Sequence, residues 1–123
     1  MAATSPTIRF YGYMKCDTCR RARKWLDAQA VAYEWIDITR DPPSAAALRT
    51  ILDAGRYGLK QLFNISGQSY RALNLKDRLD AMDEAEAVAL LAADGKLIKR
   101  PVVTDDRRHT VGFRAAVYEE VWG

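Results

Sequence analysis

The sequence predicts an α/β fold: a βαβ half and a ββα half share one mixed four-stranded sheet, with a helical segment inserted at about residues 44–95. Three observations carry this. Strand, helix and strand patterns follow one another within residues 7–39. Two short β-branched runs, at 101–104 and 109–112, flank a polar turn and precede a last helix pattern. Between the halves the signals are those of helices and turns. The chain has 123 residues, which fits one domain, taken here as residues 1–123. A chain of this size can bury a core without disulfide staples or a structural metal.

Residues 7–13 (TIRFYGY) combine β-branched and aromatic side chains and read as a buried strand. Residues 15–18 make a turn. Residues 19–30 then read as a helix, with Ala22, Trp25, Leu26 and Ala30 on one face and charges on the other. Residues 31–39 (VAYEWIDIT) give the second strand, parallel to the first through a right-handed crossover. Asp41-Pro42-Pro43-Ser44 starts a helix, because proline is tolerated at or before the first turn and the Ser44 hydroxyl can accept from free N–H groups. That helix runs to about Ala54, with Gly55 as its stop. A short helix at 59–63, a loop at 64–67 and a helix over 76–93 broken near Asp83 complete the segment. The PVVT run at 101–104, the turn at 105–108 and the strand at 109–112 form a β-hairpin. Residues 114–122 form the last helix. Helices are expected to cover both sheet faces. This order of elements is the thioredoxin-like (glutaredoxin-like) arrangement.

Composition excludes several classes. The chain is 49% hydrophobic and 28% charged, which is ordinary for a folded domain. A net charge of +3, evenly spread, gives no footprint for direct nucleic-acid binding. The acidic cluster at 80–86 reads as one solvated helix face. No stretch approaches the roughly 20 apolar residues that span a bilayer. Residues 1–7 lack the basic and apolar regions of a signal peptide. The expectation is a cytoplasmic monomer that does not engage membranes. In the cytosol a cysteine pair points to redox, metal or catalytic use more than to a staple.

The only cysteines are Cys16 and Cys19, in Lys15-Cys16-Asp17-Thr18-Cys19-Arg20-Arg21. The C-x-x-C sits between the first strand and the first helix. A helix N-terminus exposes unpaired N–H groups and the positive end of the macrodipole, and both favour thiolate over thiol. Lys15, Arg20, Arg21 and Arg23 are expected to push the same way, screened by solvent. Such thiols fall below the free value of about 8.5. Cys16, ahead of the helix, is the expected nucleophile, and Cys19 the resolving thiol. Three other readings compete. Zinc needs four ligands as a rule, and two cysteines with His109 do not supply them. A structural disulfide closing so short a loop gains little. The third is a pair of unpaired, accidental thiols.

These residues resemble the arsenate reductase-like (ArsC/Spx/MgsR) branch of the thioredoxin superfamily, which includes Spx-type transcriptional regulators. The matching segments are CDTCRRARKWL (16–26), LFNISGQSYRALNL (62–75), IKRPVV (98–103) and VGFR (111–114). The resemblance covers residues 8–122 and implies roles. Cys16 matches the redox-active thiol, which in the glutaredoxin-coupled reductases attacks arsenate before glutathione attacks the adduct. Of the three arginines that hold the oxyanion there, Arg100 matches the second and Arg114 the third. Asn64 stands where the first is expected. Pro101 matches the cis-proline that faces the active-site cysteine. A polar residue of the reductases is replaced by Gly12 or Tyr13. Read without the resemblance, Pro101 is a trans proline starting an edge strand, Arg100 a surface charge, and Arg114 a cap or solvating group of the last helix.

Asparagine offers an amide hydrogen bond but no charge or bidentate fork. Losing a charge-assisted bond of about 2–3 kcal/mol lowers oxyanion affinity by about two powers of ten. Three functions are therefore weighed. The first is a thiol reductase that holds no bound cofactor, takes glutathione as co-substrate, and uses glutaredoxin or thioredoxin as partner. The second is an Spx-like redox-switched regulator of the RNA polymerase α subunit, docking around Gly55 to Gly58 by resemblance. The third is arsenate reductase, disfavoured by Asn64 and mildly by Cys19, where many reductases carry serine. His109 reads as a surface histidine. The tryptophans and the tyrosines near the first strand read as packing. Residues 66–69 (SGQS) lack the spacing and lysine of a phosphate loop.

Overall fold

The computed structural model describes residues 7–123. The expectation about a signal peptide falls, apart from Thr7, outside the described residues. By internal packing the chain divides into two compact units, residues 7–37 with Arg100–Gly123, and Ile38–Lys99.

The first unit carries the sheet. β1 (Arg9–Gly12) leads into α1 (Asp17–Ala28) and β2 (Glu34–Asp37); β3 (Val102–Thr104), β4 (His109–Val111) and α6 (Ala115–Trp122) follow the second unit. The strand order is β2-β1-β3-β4. β1 pairs parallel to β2 and antiparallel to β3, and β3 pairs antiparallel to β4. The four-stranded mixed sheet expected from the sequence is therefore present. Phe10 of β1 and Val103 of β3 are buried with Cys19, Ala22 and Leu26 of α1, and with Tyr118 and Trp122 of α6. The helix period puts those α1 residues on one stripe, and β alternation turns the matching strand residues toward it.

The second unit holds α2 (Ala45–Asp53), α3 (Gln68–Ala72), α4 (Leu75–Arg78) and α5 (Glu84–Ala93), with 3-10 turns at Leu59–Leu62, Leu79–Ala81 and Gly95–Leu97. Ser44 caps α2 by accepting from the Ala47 N–H, and Asp83 caps α5 by accepting from the Glu86 N–H. Gly55 ends α2 at a φ of +86°, a conformation that favours glycine. The helix expected over 76–93 with a break near Asp83 is α4, a 3-10 turn and α5, and the break falls there because Asp83 caps a new helix. α3 occupies residues for which no helix was expected.

His109 corrects another expectation. It is buried, not on the surface, with 7% exposure. Its Nδ1 lies 2.6 Å from the Thr104 hydroxyl across the β3–β4 pair, and that hydroxyl accepts from the Asp106 N–H. Burial pushes the imidazole below its ordinary value, opposed by the charges of Asp105 and Asp106. The folded state then resists a proton that the unfolded chain accepts near pH 6.5, so stability is lost as pH falls through that value. The melting temperature is expected to drop between pH 7.5 and 5.5, and to drop less in His109→Asn. Equal drops in scanning calorimetry would remove His109 as the cause.

Candidate active site

Beyond β1 the chain turns through Tyr13, Met14 and Lys15. The Cys16 N–H donates to the Tyr13 carbonyl at 3.2 Å. Cys16 then takes extended dihedrals, φ −100° and ψ 115°, and caps α1. Its Sγ accepts from the Cys19 N–H at 3.3 Å, while its carbonyl accepts from the Arg20 N–H at 3.0 Å. Where Ser44 and Asp83 cap their helices through oxygen, α1 is capped by sulfur. A thiolate suits that position, since it meets an orphan N–H and the positive end of the helix dipole.

Both thiols are free. Cys19, one turn into the helix, is 1% exposed and belongs to the core cluster. Cys16 is half-buried, at the edge of the same cluster, which Phe113 also lines. The Cys16 thiol is pulled down to about 5. The largest cause is a hydrogen bond from the Cys19 thiol. Burial opposes it, and the Cys19 N–H and the Arg100 guanidinium add to it. The Cys19 thiol is pushed up, first because it must keep its proton to donate to Cys16, then by burial. The two thiols are thus driven apart, one toward the anion and one toward the neutral acid.

Arg100 and Pro101 precede β3, and the peptide bond between them is cis. The Pro101 carbonyl accepts from the Gly112 N–H at 2.9 Å, continuing the β3–β4 pairing. The Arg100 guanidinium is one of the groups that lower the Cys16 thiol. Its guanidinium also lies over the Tyr13 ring, 5.1 Å from the centre. Arg114 lies in the same unit. It is exposed, and its carbonyl accepts from the Tyr118 N–H at the start of α6. Asn64 belongs to the second unit. Its backbone N–H donates to the Leu97 carbonyl at 2.7 Å, and its side chain packs on Gly67 so closely that a Cβ there would lie 2.7 Å from Nδ2.

The structure therefore brings Cys16, Cys19, Arg100 and Pro101 to one end of the sheet, with Tyr13 beside them. Tyr13 was read from the sequence as packing. The signal that reveals its place is the strand register, which the sequence alone does not display. Among the described residues no group of three or more His, Cys, Asp and Glu side chains could hold a metal ion, and no helix is long and apolar enough to cross a membrane.

The family model for ArsC matches residues 11–121. The uncharacterized protein YusI of Bacillus subtilis is 46% identical over 116 residues, which cover 94% of this chain and 98% of YusI. The regulatory protein MgsR of the same organism is 27% identical over 106 residues, covering 86% of this chain and 82% of MgsR. The crystal structure of a possible arsenate reductase from Streptococcus mutans superposes with a TM-score of 0.87 at 47% identity, over 94% of this chain and 98% of that one. With its thioredoxin-like α/β fold and a match across nearly its whole length, this chain belongs to the ArsC family of arsenate reductase-like proteins.

Proposed function

We propose that the chain is a thiol-dependent oxidoreductase in which Cys16 is the nucleophile. One observation carries the reading: Cys16 Sγ caps α1 by accepting from the Cys19 N–H, where the Cys19 thiol and the Arg100 guanidinium also favour its anion. The Cys16 thiolate attacks a substrate disulfide, forms a mixed disulfide and releases one substrate thiolate. Cys19 then gives up its proton and attacks Cys16 Sγ. That releases the second substrate thiolate and leaves a Cys16–Cys19 disulfide. Two electrons from a reducing thiol, glutathione or a thioredoxin-type dithiol, restore the pair. Glutathione attacking Cys16 Sγ in place of Cys19 releases the same substrate thiolate and leaves Cys16 bonded to glutathione, and a second glutathione then frees Cys16 as glutathione disulfide forms. Burial of Cys19 suits it to the second step, because an external disulfide meets Cys16 first.

A second reading has its own support. MgsR carries the name of a regulatory protein and aligns over most of both chains. In that reading the same dithiol is a redox switch, and the partner is the RNA polymerase α subunit. Arsenate reduction is the weakest reading, because Asn64 supplies no charge where the family resemblance puts an arginine.

Two measurements test the first reading. Glutathione- or thioredoxin-dependent disulfide reduction is expected to fall to background in Cys16→Ser, whereas Cys19→Ser accumulates a mixed disulfide on Cys16 visible by mass spectrometry. Unchanged turnover in Cys16→Ser refutes the proposal. Thiolate absorbance at Cys16 is expected to titrate near pH 5. In Cys19→Ala the midpoint is expected to rise by about one unit, the size of one charge-assisted hydrogen bond. A midpoint near the free-thiol value in the unsubstituted protein would sink the activated-thiol claim.

A further inference from the structure

β1 and β3 are antiparallel, with Arg9 opposite Thr104, Phe10 opposite Val103 and Tyr11 opposite Val102. Carried two residues past the last pair, this register sets Gly12 opposite Pro101 and Tyr13 opposite Arg100. The side chains meet there. The Arg100 guanidinium carbon lies 5.1 Å from the centre of the Tyr13 ring, within the range where a cation is attracted to an aromatic face. The Tyr13 carbonyl also accepts from the Cys16 N–H at 3.2 Å, so ring and thiol are parts of one short turn. An arginine side chain carries about 2 kcal/mol of rotamer entropy, and its charge acts at a fixed point only when something holds it. We propose that Tyr13 is a positioning residue, the face of whose ring holds the Arg100 guanidinium against the Cys16 sulfur.

Tyr13 acts through Arg100 and takes no part in bond making. The phenol hydroxyl is dispensable, since the contact is made by the ring. The inference rests on the reading of Cys16 as the reactive thiol, but its test reads the thiol and not turnover. Either can fail while the other stands.

The test is the pH dependence of Cys16 alkylation by iodoacetamide in the full chain, mapped by mass spectrometry. Tyr13→Leu is expected to raise the midpoint by about half a pH unit, which lowers the thiolate fraction about twofold at the original midpoint and about threefold well below it. Tyr13→Phe is expected to leave it in place. In an Arg100→Met background, Tyr13→Leu is expected to add nothing. Should Tyr13→Leu not fold by circular dichroism, Tyr13→pentafluorophenylalanine keeps the ring's shape, removes its negative face, and is expected to raise the midpoint likewise. An unmoved midpoint in the folded ring variant overturns the proposal. So does a rise that persists undiminished with Arg100 replaced, because the ring would then act on Cys16 without the guanidinium.

Discussion

β1 is bonded on both sides, in parallel to β2 and antiparallel to β3, and the site depends on that double constraint. The parallel partner requires a crossover, so the chain must leave β1 through a helix that packs back on the sheet. α1 does this by burying Ala22 and Leu26 among Phe10 and Val103, and its N-terminus falls where β1 ends. The antiparallel partner brings the chain entering β3 to the same end. Cys16 and Arg100 are 84 positions apart in sequence, yet each lies only a few residues beyond a paired strand residue. Substitutions that loosen Phe10 or Val103 would therefore disturb the electrostatics of a thiol that neither of them touches through a polar atom.

Local bonds, not diffuse charge, set the state of that thiol. Lys15, Arg20, Arg21 and Arg23 are the cations that the sequence sets around the Cys16 thiol. The structure engages three of those cations elsewhere. Arg20 pairs with Asp17 at 3.1 Å, Arg21 lies over Phe113, and Arg23 lies over Trp35 while donating to the Tyr33 hydroxyl. Exposed charges act weakly through water. Three donors of short reach remain: the Cys19 thiol, the Cys19 N–H and Arg100. Two of the three come from Cys19, so the residue read as resolving thiol also tunes the nucleophile.

The fold was legible wherever periodicity and turn chemistry agreed. β1, α1, β2 and the β3–β4 hairpin follow from β-branched and aromatic runs, a helical apolar stripe and a polar turn. The second unit was harder to read. α3 spans five residues and α4 four, too short for an apolar period to declare itself. Asp83 marked a break, although its full meaning, a cap that starts a new helix, needed the Glu86 N–H in place. The burial of His109 is not legible, because a lone polar residue in a short strand carries no sign of its cross-strand partner, and Thr104 satisfies it. Cys16, Cys19 and Arg100 could be chosen from the motif and the resemblance. Tyr13 could not, because cross-strand neighbours depend on register.

The same dependence bears on which reaction the site suits. Attack on an oxyanion calls for several cations converging on one bound group, since a tetrahedral anion is recognised by multiple charge-assisted bonds. Thiol exchange asks for less: one thiolate, one neighbouring thiol that still carries a proton, and a way for the disulfide to approach. Arg100 favours the anion of Cys16 itself, so its charge already acts on the nucleophile. Arg114 is exposed at the head of α6, and Asn64 contributes no charge. A thiolate stabilised to about 5 is a weaker nucleophile than a free one but a better leaving group, because nucleophilicity falls with pKa while departure improves. This balance favours steps in which Cys16 departs as a thiolate, as when a reducing thiol attacks the partner sulfur of a mixed disulfide, forms a new disulfide with it and frees Cys16. On the proposed reading, a dithiol whose two thiols are driven apart in this way can pass between two oxidation states, which would serve a reductase and a redox switch alike.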